Sequence, residues 1–224
     1  MKKLAVIIPN YNKALYLKQS LCSIFDQTYT NIEVFFRDDG STDDSLDIMR
    51  YCPLPVTLSA GAVNKGVCHA LNYMVNYIKD EGYEYFYIMA SDDFVEPTIL
   101  GKLVAMIDSE HDFYTCHAKM FGLEDKVFRS EPNLTLDSFR KGSPLLTTGI
   151  YSVKMWKELG GRREDWRVTH DYEMFLRMFL RGYKHKVLDE VLYNWRNYEG
   201  QLSREYGNDI ELRKKAFEIN GVVW

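Results

Sequence analysis

A mostly parallel sheet with helices on both faces, followed by a mixed half, is the fold this sequence predicts, on three observations. Short β-branched runs alternate with helical patterns through the first 110 residues, and that alternation marks βαβ units. The first run, Leu4-Ala5-Val6-Ile7-Ile8, is apolar at every position, as a strand covered on both faces must be. After residue 110 the rhythm changes to longer, more polar segments. At roughly 150 residues per domain, the 224 residues amount to about one and a half. Residues 1–224 therefore read as one domain, with an α/β half at 1–110 and a mixed half at 111–224 sharing one sheet.

The elements follow in order. Leu4 to Ile8 is a strand stopped by Pro9, and Leu15, Leu17, Leu21, Ile24 and Phe25 give a helical stripe between Lys13 and Gln27. Ile32 to Phe36 is a strand, Asp44 to Arg50 a helix, Pro55 to Leu58 a short strand and Gly66 to Lys79 a long helix. Tyr85 to Met89 is a strand, and Pro97 suits the first turn of a helix reaching Ile107. Beyond it, Asp112 to Phe121 is a strand, Gly122 to Asn133 a turn-rich stretch and Leu145 to Tyr151 a strand. Asp171 to Arg181 is a helix stopped by Gly182, Lys184 to Arg196 a strand pair or one bent strand, and Asn208 to Asn220 a closing helix.

Composition excludes several classes. Lys plus Arg is 28 against 32 for Asp plus Glu, so no bulk positive charge is present to bind nucleic acid. With 46% hydrophobic residues a chain this long buries roughly 70% of its extended surface and needs no staple. The four cysteines are scattered with no C-x-x-C pair, and act as small apolar residues. Met1-Lys2-Lys3 precedes only five apolar residues, short of a signal-peptide core of ~7–15. No run approaches the ~18 apolar residues of a spanning helix. The expected location is cytoplasmic, with at most peripheral association at the inner face of a membrane. Gly61 to Gly66 has the outer spacing of a P-loop, but Val67-Cys68 replaces its Lys-Ser/Thr. A G-x-G-x-x-G turn, a G-x-S-x-G elbow and zinc-ligand histidine spacing are also absent from the sequence.

In open parallel sheets ligands bind beyond the carboxyl ends of the strands. Three of the expected strands end in chemistry-bearing residues: Pro9-Asn10-Tyr11-Asn12, Arg37-Asp38-Asp39-Gly40-Ser41-Thr42 and Ala90-Ser91-Asp92-Asp93. Singly, each reads as a turn or a helix cap. Together they place carboxylate pairs on one edge, where a hard divalent cation, completed by substrate phosphates, fits.

These residues have a collective likeness. Ala5 to Asn12, Ser23-Ile24-Phe25-Asp26-Gln27-Thr28-Tyr29 and Asp38 to Asp43 closely resemble the opening of the inverting family 2 glycosyltransferases. The resemblance continues through Asn64-Lys65-Gly66, Ser91-Asp92-Asp93, Gly160-Gly161, His170-Asp171 and Trp195-Arg196, covering nearly the whole chain. It implies the GT-A fold, a Rossmann-like nucleotide-sugar half joined to an acceptor half. It also implies that Pro9, Tyr11 and Asp39 hold the nucleoside, with Lys65 nearby. Asp92 would contact the ribose and Asp93 a Mn²⁺ or Mg²⁺ ion, as the carboxylates called the DXD motif. Ala90 stands where the commoner pattern has that motif's first aspartate. Asp171 matches the catalytic base, and Arg196, with Ser203 downstream, a contact to the diphosphate.

The implied partners are a nucleotide-sugar donor, a UDP-sugar foremost, and a carbohydrate or lipid-linked acceptor, as in polysaccharide assembly. Loops in residues 122–146 are expected to set donor preference. Two other readings compete. Asp38 to Thr42 is similar to the D-x-D-G-T loop of dehalogenase-like phosphatases, but Arg37 stands at the nucleophile position. A degenerate domain that binds nucleotide or glycan without turnover is the second.

Overall fold

The computed structural model of the chain describes residues 2–201, 204 and 209–224. At its centre β1 (Leu4–Asn10) pairs in parallel with β2 (Ile32–Asp38) on one side and β4 (Tyr85–Ile88) on the other. Outside β2 lies β3 (Val56–Ala60), also parallel. The second half continues the same sheet. On β4 packs antiparallel β8 (Gly149–Ser152), followed by β6 (Phe113–Gly122), β9 (His185–Asn197) and the two-residue β5 (Phe94–Val95). The order is β3-β2-β1-β4-β8-β6-β9-β5, with β7 (Lys126–Phe128) pairing off β6.

Alternation along β1 divides the core into two layers. Leu4, Val6 and Ile8 face α1 (Ala14–Phe25) and α4 (Ile99–Ala105), through Leu17, Leu21, Ile24, Leu100 and Leu103. Ala5 and Ile7 belong to the opposite layer, with Leu71, Met74, Val75 and Ile78 of α3 (Val67–Asp80). Those four positions sit at the 3–4 spacing of one helix face. In that layer also lie Phe139 of α5 (Leu136–Lys141), Trp156 of α6 (Val153–Leu159), Phe175 of α7 (His170–Leu180) and Phe217 of α8 (Ile210–Ile219). The short α2 (Ser45–Arg50) adds Met49 to the first layer.

Several boundaries depart from the sequence expectation. Pro97 lies in a turn, and α4 begins only at Ile99. Gln27 explains the delay: its Oε1 accepts the Leu100 amide at 3.1 Å, so a residue from α1's end supplies the cap. The strand expected at 145–151 is confined to 149–152, and its last residue, Ser152, caps α6 through Oγ to the Met155 amide. A strand running straight into a helix blurs both periods. The turn-rich 122–133 stretch contains β7, and α5 starts from a Thr135–Ser138 capping box with no apolar run to announce it. Residues 185–197 form one bent strand, with register shifts opposite Thr115 to Ala118. In the tail, Asp209 caps α8 through Oδ1 to the amides of Glu211 and Leu212; Asn208 and Ser203 lie outside the described residues. No helix among the described residues is long and apolar enough to cross a membrane.

Candidate active site

Because β2, β1 and β4 are adjacent and parallel, their carboxyl ends bring the three polar loops to one edge. The first two loops are stitched together. Ser41 Oγ accepts the Asn12 amide at 2.9 Å, Asn12 Oδ1 accepts the Thr42 amide at 2.8 Å, and Asp43 Oδ2 accepts the Ala14 amide at 2.9 Å. Asn12 holds a left-handed φ of 52°, uncommon outside glycine. Gly40 has φ 78°, and a Cβ there would stand 2.8 Å from the Val63 backbone, so only glycine lets the 61–66 loop approach.

The two neighbouring aspartates of the second loop do different work. Asp38 is saturated: it accepts the Gly40 and Ser41 amides, the Ser41 hydroxyl at 2.6 Å and Asn10 Nδ2 at 3.0 Å. Asp39 is also buried, and its Oδ2 accepts the amides of Lys65 at 3.0 Å and Gly66 at 2.7 Å. Its Oδ1 is buried with no partner. The Asp39 amide donates to the Asn10 carbonyl at 2.8 Å; the next residue, Tyr11, is 39% exposed, and Pro9 is half-buried on β1. The Lys65 side chain is exposed, and its backbone rather than its ammonium meets Asp39.

On the third loop Asp93 is buried, with Oδ2 accepting Tyr193 OH at 2.6 Å and Oδ1 accepting the Arg196 amide at 2.7 Å. Burial, then the Asp92 charge, push its carboxyl well above the usual range. Asp92 Oδ2 accepts Tyr198 OH at 2.7 Å and pairs with Lys13 Nζ at 3.2 Å. Burial and the Asp92 charge hold the Tyr198 phenol protonated, so it donates. Arg196 Nε donates to the Asp92 carbonyl at 2.9 Å, and its guanidinium lies over the rings of Tyr16 and Phe121, at 4.5 and 4.7 Å.

No three His, Cys, Asp or Glu side chains stand together as a ready metal cage among the described residues. The donor set nonetheless fits a hard cation, which takes one or two carboxylates and completes its shell with phosphates and water. A carboxylate oxygen has two lone-pair sites. Tyr193 and the Arg196 amide can therefore orient Asp93 as an outer shell orients a ligand. Asp92 Oδ1 receives no hydrogen bond among the described residues.

A second cluster surrounds Asp171 at the N-terminus of α7, linked to the first through α3. Gly66, which binds Asp39, precedes α3; nearly two turns on, Asn72 exchanges hydrogen bonds with the Arg162 backbone at 2.8 and 2.9 Å. The half-buried Asp171 accepts the Tyr172 amide through Oδ1 at 2.9 Å. Just before it, Thr169 is held at φ 51°, strained for a β-branched residue, with its hydroxyl buried and unpartnered. Arg162, 3% exposed, donates to His170 Nδ1 at 2.8 Å and Thr147 Oγ1 at 2.7 Å. Arginine only donates, so Nδ1 carries no proton and the imidazole is neutral. Burial first, then Arg162, lower the His170 pKa to about 4. Below this turn the fully buried Glu173 pairs with Arg177 at 2.9 Å, and Arg177 reaches the carbonyls of Leu159 and Gly161.

Lys13, Tyr198, Tyr193 and Arg162 were not singled out from the sequence. Their partners lie 8 to 185 residues away, so no local pattern carries them.

The model of Glycosyl transferase family 2 matches residues 5–192, and the chain belongs to that family. An uncharacterized glycosyltransferase of Rickettsia typhi is 28% identical over 92% of this chain and 68% of its own. A chondroitin synthase of Escherichia coli is 27% identical, but this chain spans only 28% of its length. Among solved structures, residues 1–349 of S. aureus TarS in complex with UDP-GlcNAc superpose with a TM-score of 0.78 at 24% identity, over 98% of this chain and 65% of that one. A Pyrobaculum calidifontis mannosyltransferase with GDP-Man and Mn²⁺ gives 0.68 at 20% identity, over 91% of this chain and 59% of that one. The fold is GT-A, an α/β sheet with the helices described above.

Proposed function

We propose that the protein transfers a sugar, with inversion, from a nucleoside-diphosphate donor to a hydroxyl of a glycan or lipid-linked acceptor. The observation that supports this most is Asp39: buried, fixed by two loop amides, with one oxygen left unpartnered. A buried carboxylate oxygen without a donor is costly, and a nucleobase N–H supplies one. Tyr11 packs on the base, Pro9 shapes the floor, and the Lys65 segment closes over it. Uracil, with an N–H between two carbonyls, suits such an acceptor, so a UDP-sugar is the proposed donor; TarS has been solved with one.

In this reading Asp92 would contact the ribose and Asp93 would hold a cation, while Arg196 would contact the diphosphate. A divalent cation, when bound there, supplies Lewis-acid charge to the leaving group. Asp171 takes the proton from the acceptor hydroxyl as its oxygen bonds to the anomeric carbon, and the bond from that carbon to the phosphate oxygen breaks. A single base on the far side gives inversion. His170, held neutral by burial and then by Arg162, adds no second positive charge beside that carboxylate. A positioned base contributes ~10²–10⁴-fold.

Thermal shift against UDP, GDP, dTDP and CMP, with and without Mn²⁺, tests the reading. A rise confined to nucleoside diphosphates, largest with UDP, is expected; a flat response across the panel contradicts it.

A further inference from the structure

The carboxylates at the third strand end are already balanced by charge. Asp92 and the buried Asp93 contribute at most two negative charges, since burial opposes the ionised form of Asp93; Lys13, 3.2 Å from Asp92 Oδ2, and Arg196, hydrogen-bonded to the Asp92 carbonyl, contribute two positive ones. With Ala90 in place of a further carboxylate, no excess negative charge remains there to recruit a divalent cation before a ligand arrives.

The two cations differ in freedom. Arg196 is fixed: its Nε is bonded to Asp92 O, a terminal nitrogen to Gln19 Oε1 at 2.5 Å, and its plane lies against two rings. Lys13 has a flexible four-carbon stem and an ammonium with no fixed bonding plane. It rises from the residue preceding α1, immediately after the Tyr11-Asn12 turn, and its ammonium touches Tyr198 OH and Asp92. It thus joins the segment after Tyr11 to the Asp92 carboxylate, two groups between which the donor reading puts the diphosphate.

We infer that Lys13 is a built-in counter-charge for the donor's diphosphate, which offsets the Asp92 charge beside the proposed cation ligand Asp93 and so makes donor binding only partly dependent on metal. Without ligand, Lys13 neutralises Asp92. When a diphosphate enters, the ammonium swings to a phosphate oxygen and frees Asp92 Oδ2. The phosphates then both accept Lys13 and complete a cation's shell. The inference rests on the donor-binding reading proposed above.

Calorimetry on wild type, Lys13→Met and Lys13→Arg tests it, with Mn²⁺ alone and with UDP in EDTA or in saturating Mn²⁺. Lys13→Met should bind Mn²⁺ alone more tightly than wild type, because the Asp92 charge beside Asp93 is no longer offset. The same variant should bind UDP ~10-fold or more weakly in EDTA and recover to within a few-fold in Mn²⁺. Lys13→Arg should retain UDP binding in EDTA, which separates loss of charge from a folding defect. Unchanged Mn²⁺ affinity together with unchanged EDTA affinity for UDP in Lys13→Met overturns the inference. Wild type that binds no UDP under either condition instead overturns the donor reading beneath it, while the Mn²⁺-alone comparison still reports on the Lys13–Asp92 pair.

Discussion

Two adjacent aspartates with the same sequence environment carry opposite roles, and only their partners distinguish them. Asp38 accepts four hydrogen bonds and holds its own loop, whereas Asp39 keeps one buried oxygen free. Asp39→Asn can keep an oxygen toward the Lys65 and Gly66 amides but presents NH₂ where the free oxygen was. Its melting temperature should stay within a few degrees of wild type, while UDP affinity falls roughly 10- to 100-fold, from loss of a charge-assisted hydrogen bond worth about 1.5–3 kcal/mol. Equal UDP affinity by calorimetry would remove Asp39 from the nucleoside site. The sequence distinguishes Asp39 from its neighbour only through its match to a family position, while its unpartnered buried oxygen is visible in the structure alone. The structural role of Asp38 was not legible in the sequence either, since it depends on Asn10 reaching across from β1.

Strain concentrates in the elements that present the proposed chemistry. Both non-glycine residues with positive φ among the described residues, Asn12 and Thr169, lie within two positions of a candidate site residue. Thr169 starts α7 without capping it, although its hydroxyl is buried. Such backbone conformations cost on the order of 1–3 kcal/mol and persist where surrounding structure enforces them. Thr169→Gly should therefore unfold at higher denaturant, by ~1 kcal/mol, and lose activity because the Asp171 turn loosens. A variant that is destabilised and fully active would contradict this assignment of strain. The helix itself was legible from its apolar spacing and from Gly182. Its anchoring through Arg162, Thr147 and the Glu173–Arg177 pair was not, because those bonds join α7 to segments outside its own period. The Ser23 to Tyr29 motif gives the reverse lesson: read as part of a functional signature, it works structurally, with Gln27 capping α4 and Thr28 bonded to the Pro97 carbonyl.

Across the whole molecule one sheet joins the two clusters, and β4 is where its parallel part meets its mixed part, Phe86 stacking on Tyr151 of β8 at 5.5 Å between ring centres. The parallel half was legible because β1, β2 and β4 are buried on both faces over most of their length and read as apolar runs, with only the edge strand β3 half exposed; the mixed half, with strands of three to thirteen residues, has no uniform period. Acid stability integrates buried groups of opposite sign. His170 has a folded pKa of about 4 against an ordinary 6.5, so between those values the unfolded chain binds a proton the folded one refuses. Its contribution is complete above about 6.5 and is lost as pH falls toward about 4. Asp93, raised by burial, acts in the opposite direction. Comparison with His170→Gln isolates the histidine: the stability of wild type relative to that variant, from urea midpoints, should decline from pH 7.5 to pH 5, and a constant difference would contradict it. The most direct test of the central claim is UDP release from a UDP-sugar, with acceptor or water, by wild type and by Asp171→Asn. The account predicts turnover by wild type, a loss of ~10²-fold or more in the variant, and UDP affinity within a few-fold of wild type. Near wild-type turnover by Asp171→Asn would contradict it.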